Sequence, residues 1–344
     1  MNTSMKMMNS LHEDLCSFDL KTIERYWDDV RPGGSVRVIL ERPRLNLTKT
    51  ATGAHRIEFT VREDLLHDVK SSEGFTVETE MPAGGNALVR LTTSGIETDL
   101  FVSFTLDLAN LLRKLETDPA CGEETRTHAL FMRISAWQKF MKSTERTLNA
   151  EKELGLFGEL TVLQAWLDAG GSPQHLSAVW TGPVRDAHDF TFDKSHGLEV
   201  KTSLGHAPFV AKISSLLQLD TKECPDLHLC AVFAEECDEG RTLGELVKAL
   251  ESGLPTPAIR EEFHSKVITC GLSTELLEKT KRRLSVQRLL CARADELPRI
   301  TPQSAPGVLS ARYEINLTDD AGEPVASAGW KSPEDFFAEL SDQH

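Results

Sequence analysis

The chain has 344 residues, with 38 Lys and Arg against 53 Asp and Glu, which gives a formal net charge of -15. This acidic excess disfavours a free-standing, strongly basic nucleic-acid-binding protein. Hydrophobic residues make up 40% and charged residues 26% of the chain, a composition that excludes a mostly disordered protein.

Seven cysteines are thinly spread and form no CxxC pair, so they match neither a zinc site nor a disulfide scaffold. A reduced cytoplasm is therefore the expected compartment. Glu13 and Asp14 come before any apolar signal core could form. No stretch reaches the roughly 18 apolar residues of a membrane span. The sequence predicts a soluble protein that is not exported.

The region from 35 to 105 consists of short apolar runs separated by turn signals. Within 56–62, the residues Ile57, Phe59 and Val61 alternate with polar neighbours, which is typical of a half-buried antiparallel strand. The same approach predicts further strands over 35–41, 75–80, 87–93 and 100–104. Together they indicate an N-terminal β-rich module over 1–120.

Two helices are predicted next, near 106–116 and 123–148, and the second carries its apolar residues at helical spacing. A mixed pattern follows, with a helix over 152–169 and strands near 188–193, 197–203, 209–213 and 226–234. This order predicts a small mixed sheet flanked by helices over 121–235. The remaining segment, 236–344, is predicted as an α+β appendage with helices over 242–253 and 257–270 and strands over 285–294 and 310–317.

The segment 189–203 carries the residues with the clearest chemical meaning. Side chains alternate between the two faces of a strand, so Glu199 and Lys201 share one face while Val200 points to the other. Asp189 lies ten positions before Glu199. That spacing suits a hairpin through 194–197, which would bring two carboxylates and one ammonium together.

Two converging carboxylates with a backbone carbonyl suit a hard divalent cation such as Mg²⁺. Without a cation the carboxylates would repel each other. A bound Mg²⁺ lowers the pKa of a coordinated water, and Lys201 would orient that water or neutralise developing negative charge. This combination is typical of phosphodiester hydrolysis, although an acidic-X-Lys tripeptide alone also occurs on solvated, salt-bridged strands.

Glu159 lies at the edge of the apolar stripe of the predicted helix, since residues advance by about 100° along a helix. A buried carboxylate costs several kcal/mol unless it has a partner. A metal site facing the helix would supply that partner. An arginine partner or an exposed position at the helix edge are the alternatives.

Five segments together resemble the PD-(D/E)XK nuclease superfamily: GLFGEL at 155–160, WTGP at 180–183, HDF at 188–190, LEVKTS at 198–203 and ISSLLQL at 213–219. Within the superfamily, they more closely resemble the bacterial branch found near restriction and phage-defence genes. It implies a restriction-endonuclease-like core sheet flanked by helices, with Mg²⁺-dependent DNA cleavage, and its core covers about 155–220.

The resemblance also implies roles by position. Asp189 matches the motif aspartate, Glu199 the second acidic ligand, Lys201 the catalytic lysine and Glu159 the helix-borne acid beside the metal. Val200 offers its backbone carbonyl to the metal. His188 stands where the family pattern has proline, a departure that leaves the carboxylate ligand intact.

Gln218 corresponds to a glutamine that follows the next strand in the family. Contact with DNA or with the active site is one interpretation of this residue, and ordinary hydrogen bonding is the alternative. The segment 278–293 is the most basic local stretch, and its candidate DNA-backbone contacts are Lys281, Arg282, Arg283 and Arg288. A solvated helix end is the alternative for this stretch. His188, His196 and His206 match no zinc signature and are expected in loops or at the surface.

The predicted function is a Mg²⁺-dependent DNA endonuclease, a hydrolase of a restriction-modification or phage-defence system, with Mn²⁺ as a substitute metal. Its expected partners are duplex DNA, a second copy in a homodimer, and a methyltransferase or helicase, with no membrane. One alternative is a non-catalytic assembly or DNA-binding subunit that keeps the nuclease fold. Another is a nuclease that acts on RNA or on branched DNA.

Overall fold

The computed structural model describes residues 17–39, 41–94, 98–142, 148–182, 188–205, 208–324 and 328–342. The chain divides into two compact units. The first contains Met1–Arg146 and Thr256–Glu275, and the second contains Thr147–Pro255 and Leu276–His344. Compactness does not test independent folding, so the predicted boundaries at 120 and 235 stay a prediction.

An antiparallel sheet of five strands, in the order β1-β2-β3-β5-β4, forms the centre of the first unit. Its strands are β1 (Ser35–Arg37), β2 (Arg44–Lys49), β3 (His55–Arg62), β4 (Gly74–Glu80) and β5 (Asn86–Ser94). Ile57, Phe59 and Val61 of β3 are fully buried, which confirms the predicted half-buried strand. Strand β2 was not predicted, and β1 ends earlier than expected.

The described part of the first unit also contains four long helices: α1 (Leu20–Asp29), α2 (Thr98–Glu116), α3 (Glu123–Lys142) and α7 (Pro257–Thr269). The prediction of a strand over 100–104 is wrong, because this segment belongs to α2. Apolar residues continue at intervals of three and four well beyond the five-residue window. All of them are buried, namely Phe101, Phe104, Leu108, Leu111 and Leu115.

Arg133 of α3 joins three helices of the first unit through a buried polar network. Its guanidinium donates to Asp107 of α2 and to Glu261 of α7, each at 2.6 Å, and to Oγ of Ser265 at 3.1 Å. Trp137 donates from its indole to the same Asp107 at 2.7 Å. These bonds attach α7 to the first unit although its neighbours in sequence belong to the second.

A mixed sheet of four strands, in the order β10-β9-β7-β6, forms the centre of the second unit. The strands of this unit are β6 (Phe190–Thr191), β7 (His196–Leu204), β8 (Val210–Ile213), β9 (Asp226–Arg241), β10 (Leu284–Arg293) and β11 (Tyr313–Asn316). β7 runs parallel to β9, and the other pairs are antiparallel. β8 and β11 form a separate two-stranded sheet. β10, from the predicted C-terminal segment, therefore extends the core sheet.

The helices of the second unit are α4 (Ala150–Asp168), α5 (Leu176–Val179), α6 (Leu243–Gly253), α8 (Thr274–Glu278, whose last residues fall in this unit) and α9 (Pro333–Asp342). α4 begins at a defined cap, because Oδ1 of Asn149 accepts from the backbone N–H of Lys152 at 2.8 Å. The small mixed sheet with flanking helices confirms the predicted restriction-endonuclease-like fold class. In the described ranges, every helix is too short or too polar to cross a bilayer.

Candidate active site

The predicted hairpin is formed by β6 and β7, where Phe190 pairs with Leu198. Asp193 closes the turn, since its Oδ1 accepts from the backbone N–H groups of Ser195 and His196 at 2.6 and 2.9 Å. Asp189 lies just before β6, and its Oδ2 accepts from the backbone N–H of Val200 at 2.8 Å. The hairpin thus brings Asp189 beside the strand that carries Glu199.

Glu199 and Lys201 share one face of β7, as the alternation predicted. Nζ of Lys201 donates to Oε1 of Glu199 at 2.7 Å. Glu199 is only 2% exposed, and Val200 on the opposite face is also buried. The alternative of a solvated, salt-bridged strand face is therefore wrong for Glu199.

A cavity of about 560 Å³ gathers the predicted acidic residues and the lysine. Its lining includes Glu159, Asp189, Glu199, Val200, Lys201, Gln218 and Arg282. Lys212 and Glu151 also line it and form an ion pair at 3.3 Å. The cavity therefore holds side chains that lie far apart in sequence, on α4, β7, the turn after β8 and the segments just before β6 and β10.

Three carboxyl groups in this cavity, those of Glu159, Asp189 and Glu199, hold their protons more tightly than usual. Burial raises the pKa of Glu199 to about 8, the nearby negative charge of Asp189 adds to this, and the Lys201 ammonium opposes it. Burial also raises the pKa of Glu159, again with a contribution from Asp189. For Asp189, burial raises the pKa, and the N–H of Val200 opposes the shift. Such convergence of buried acids is typical of functional sites.

The donor set fits a hard divalent cation, because three carboxylates with raised pKa values line one cavity. Within the described ranges, however, no three His, Cys, Asp or Glu side chains are already arranged as a metal-binding cluster. Mg²⁺ usually retains several waters and needs only one or two carboxylates from the protein. The cavity therefore suits an open site better than a closed structural one.

A family model described as "Putative PD-(D/E)XK family member, (DUF4420)" matches residues 51–318, which include the whole hairpin and the cavity. The chain belongs to this family. No curated protein and no solved structure matches the chain. Membership of the PD-(D/E)XK family indicates a nuclease, in agreement with the acidic cavity.

Only one of the four candidate DNA contacts of this PD-(D/E)XK protein lines the acidic cavity. Arg282 lies at its wall, forms an ion pair with Glu236 and donates to the backbone O of Ala150 at 3.1 Å. Lys281 and Arg283 line a different cavity of about 420 Å³. Arg288 is exposed, and its guanidinium carbon lies 5.9 Å from the centroid of the Phe233 ring.

Gln218 reaches the cavity of the PD-(D/E)XK site but also has a local partner. Its Oε1 accepts from the backbone N–H of Ser214 at 2.8 Å and lies 3.2 Å from that residue's hydroxyl. The side-chain oxygen thus closes the turn after β8. His196 lies in the hairpin, 2.7 Å from Oδ2 of Asp193, and His188 is half-buried. His206 and Pro183 lie outside the described residues.

Sequence reasoning gave no role to Trp180 or Glu236 in this PD-(D/E)XK protein. The indole Nε1 of Trp180 donates to Oε2 of Glu159 at 2.9 Å, which gives the helix-borne acid a partner other than arginine. Glu236 pairs with Arg282. The WTGP motif drew attention to Trp180, but no local pattern specifies which carboxylate an indole will contact.

Proposed function

We propose that the protein is a divalent-metal-dependent endonuclease that hydrolyses phosphodiester bonds in DNA. The observation that carries this proposal is the buried Glu199, which is bonded to Lys201 and shares one cavity with Asp189 and Glu159. Ordinary surface strands do not bury a carboxylate beside two others. A site that must concentrate negative charge around a cation accounts for this arrangement.

Asp189, Glu199 and the backbone carbonyl of Val200 are the proposed metal ligands, with Glu159 as an auxiliary acid. When bound, Mg²⁺, or Mn²⁺ in its place, supplies a Lewis acid that polarises a phosphoryl oxygen and lowers the pKa of water. Lys201 is the proposed catalytic lysine. Its ammonium, held 2.7 Å from Glu199, would orient the attacking water and neutralise negative charge on the phosphate.

Arg282 is the proposed contact between the active site and the DNA backbone. It is the one candidate of the basic stretch that lines the acidic cavity among the described residues. Its partner Glu236 is 56% exposed, so their ion pair is worth little and a DNA phosphate can replace the carboxylate. Lys281, Arg283 and Arg288 would contact phosphates farther from the reacting bond. Gln218 is a proposed auxiliary residue at the cavity wall.

The proposed substrate is duplex DNA, since aromatic residues make up only 6% of the chain and are not interleaved with basic residues as on single-strand platforms. A homodimer would supply two active sites for the two strands. The family resemblance supports a role in restriction or phage defence in the cytoplasm, with a methyltransferase or helicase as partner. RNA or branched DNA is the alternative substrate.

A non-catalytic assembly or DNA-binding subunit is the second candidate function, and the net charge of -15 favours it. Lys212 and Arg282 at the cavity are both paired with carboxylates, so little free positive charge attracts a polyanion there. This candidate predicts that DNA binding, if present, is unaffected by replacing the buried acids.

A plasmid assay separates these two functions. Purified protein is incubated with supercoiled plasmid and Mg²⁺ or Mn²⁺, beside Asp189→Ala, Lys201→Ala and the matched control Lys194→Ala, an exposed lysine in the same hairpin. Nicking by the wild type and by Lys194→Ala, with loss in the other two variants, is the expected result. Equal nicking by all four proteins would refute the assigned site.

A further inference from the structure

Trp180 connects the helix-borne acid to the hairpin, because it contacts Glu159 through its side chain and pairs with Phe190 through its backbone. Its side chain is fully buried, and its indole N–H donates to Oε2 of Glu159 at 2.9 Å. Trp180 does not line the cavity itself, whereas Glu159 does. Any influence of the indole on the chemistry must therefore pass through the Glu159 carboxylate.

Thr181 and Gly182, the two residues after Trp180, bind the backbone at Asp189. The backbone N–H groups of Thr181 and Gly182 both donate to the backbone O of Asp189, at 3.0 and 3.1 Å. The hydroxyl of Thr181 donates to the backbone O of His188 at 2.6 Å. Gly182 has a φ of 60°, a left-handed conformation that glycine adopts without strain. Residues 180–182 therefore contact both acid-bearing parts of the chain, the helix with Glu159 and the segment with Asp189.

We propose that Trp180 is a positioning residue that holds the Glu159 carboxylate on the side of the cavity where Asp189 and Glu199 lie, so that all three acids serve one divalent cation. This inference rests on the proposed metal-dependent function. The indole N–H is a donor only, so it fixes Oε2 without competing as a base. Oε1 of Glu159 would then remain available to the cation or to its waters.

The physical advantage of this bond is the rigidity of the donor. A glutamate side chain on a helix has several rotamers, and each one places the carboxylate differently. A buried indole with fixed packing selects one of them before the ion arrives. Removing groups that hydrogen-bond to metal ligands typically weakens metal affinity about 10- to 100-fold.

A purely structural role for the Trp180 ring is the competing explanation, and Trp27 provides the matched control. Trp27 is 2% exposed, yet its Nε1 has no hydrogen-bond partner among the described residues. A buried indole in this protein therefore does not require a carboxylate. Trp27→Phe removes a buried ring of the same kind without removing a bond to an acid.

Calorimetric titration with Mn²⁺ alone tests the proposal on five folded proteins: the wild type, Trp180→Phe, Glu159→Gln, the double variant and Trp27→Phe. We expect Trp180→Phe to weaken Mn²⁺ binding about 10-fold or more. In the Glu159→Gln background, the same substitution should have no further effect. Trp27→Phe should bind Mn²⁺ as the wild type does.

Unchanged affinity in Trp180→Phe, or an equal loss in both backgrounds, would overturn the proposal. A measurement on proteins that keep Trp180 covers the case in which Trp180→Phe does not fold. Of the five tryptophans, one indole N–H signal in the ¹⁵N spectrum should shift on Glu159→Gln and again on addition of Mg²⁺ to the wild type. Indole signals that stay in place under both changes would also refute it.

The outcomes distinguish this inference from the proposed nuclease function. If Trp180→Phe weakens Mn²⁺ binding only when Glu159 is present, and the protein cuts no nucleic acid, the positioning role is supported and the nuclease function is refuted. Metal-dependent cleavage with full Mn²⁺ affinity in Trp180→Phe would remove the positioning role alone. A wild-type protein that binds no Mn²⁺ would contradict both.

Discussion

Gly158 of α4 lies directly against Thr202 of β7. A Cβ atom added at Gly158 would lie 1.8 Å from Oγ1 and 3.0 Å from Cβ of Thr202. Only a glycine therefore lets the helix come this close to the strand. This approach places Glu159, the next residue of α4, beside the hairpin that carries Asp189 and Glu199.

We expect Gly158→Ala to push α4 away from β7, because the added atom would lie 3.0 Å from Cβ of Thr202, which cannot move away by a side-chain rotation. The variant should lose most Mn²⁺ affinity and nuclease activity, and overpacking of this kind should lower the free energy of unfolding by about 1–3 kcal/mol. Gly155→Ala on the same helix is the control, since an added Cβ there has no atom within 4 Å. Gly155→Ala should raise stability by up to about 1 kcal/mol. Similar effects of the two substitutions in urea unfolding would contradict the close contact.

The raised pKa of Glu199 leads us to predict how the stability of the metal-free protein depends on pH. Its ordinary pKa is 4.5, and burial with the neighbouring Asp189 raises it to about 8 in the folded state, against the opposing Lys201. The folded state therefore binds more protons than the unfolded state between these values, and stability falls as pH rises from about 4.5 to 8. Glu199→Gln should remove the share of that fall that Glu199 contributes, while the raised pKa values of Glu159 and Asp189 maintain the rest. Tm measurements in a chelator would detect the difference.

The comparison with Mg²⁺ provides the internal control for this prediction. A divalent cation favours the ionised form of Glu199, so it should raise the Tm of the wild type at pH 8 more than that of Glu199→Gln. Parallel Tm curves for the two proteins from pH 5 to 9 in the absence of metal would show that Glu199 titrates normally.

We expect substitutions of Arg282 and Glu236 to have opposite effects on DNA binding. Arg282→Ala removes a phosphate contact and should lower the slope of log affinity against log salt concentration by about 1. Glu236→Gln removes the competing carboxylate and should tighten binding. In the Arg282→Ala background, Glu236→Gln should change nothing. Fluorescence anisotropy on a labelled duplex measures all four proteins, and tighter binding in both backgrounds would show that Glu236 acts through general charge.

The Arg133 network predicts a large stability effect in the first unit. Arg133→Met leaves Asp107 and Glu261 buried without their main cation, and breaking a buried pair in this way typically costs about 3–5 kcal/mol. Arg113→Ala is the control, because Arg113 is 39% exposed and its pair with Glu116 is worth about 0.5 kcal/mol at most. Urea unfolding measures both. A small effect of Arg133→Met would mean that water or Lys114 replaces the guanidinium.

The local part of the candidate site could be predicted from the residues alone. Alternation along one strand placed Glu199 and Lys201 on a shared face, and the ten-residue interval from Asp189 to Glu199 matched the hairpin. Both patterns depend on backbone geometry over a few residues, so they can be read without a fold. Helical periodicity likewise placed Glu159 at the edge of an apolar stripe.

The burial and the contacts of these groups depend on how distant parts of the chain pack together. Glu199 is only 2% exposed, and Glu159 accepts a hydrogen bond from an indole rather than from an arginine. The selection of Arg282 from four basic residues depends on where β10 begins relative to the cavity. Such contacts join residues that are remote in sequence, and their energies depend on packing and desolvation rather than on periodicity. The strand predicted over 100–104 was wrong because five residues cannot distinguish a buried helix from a strand, whereas the longer pattern can.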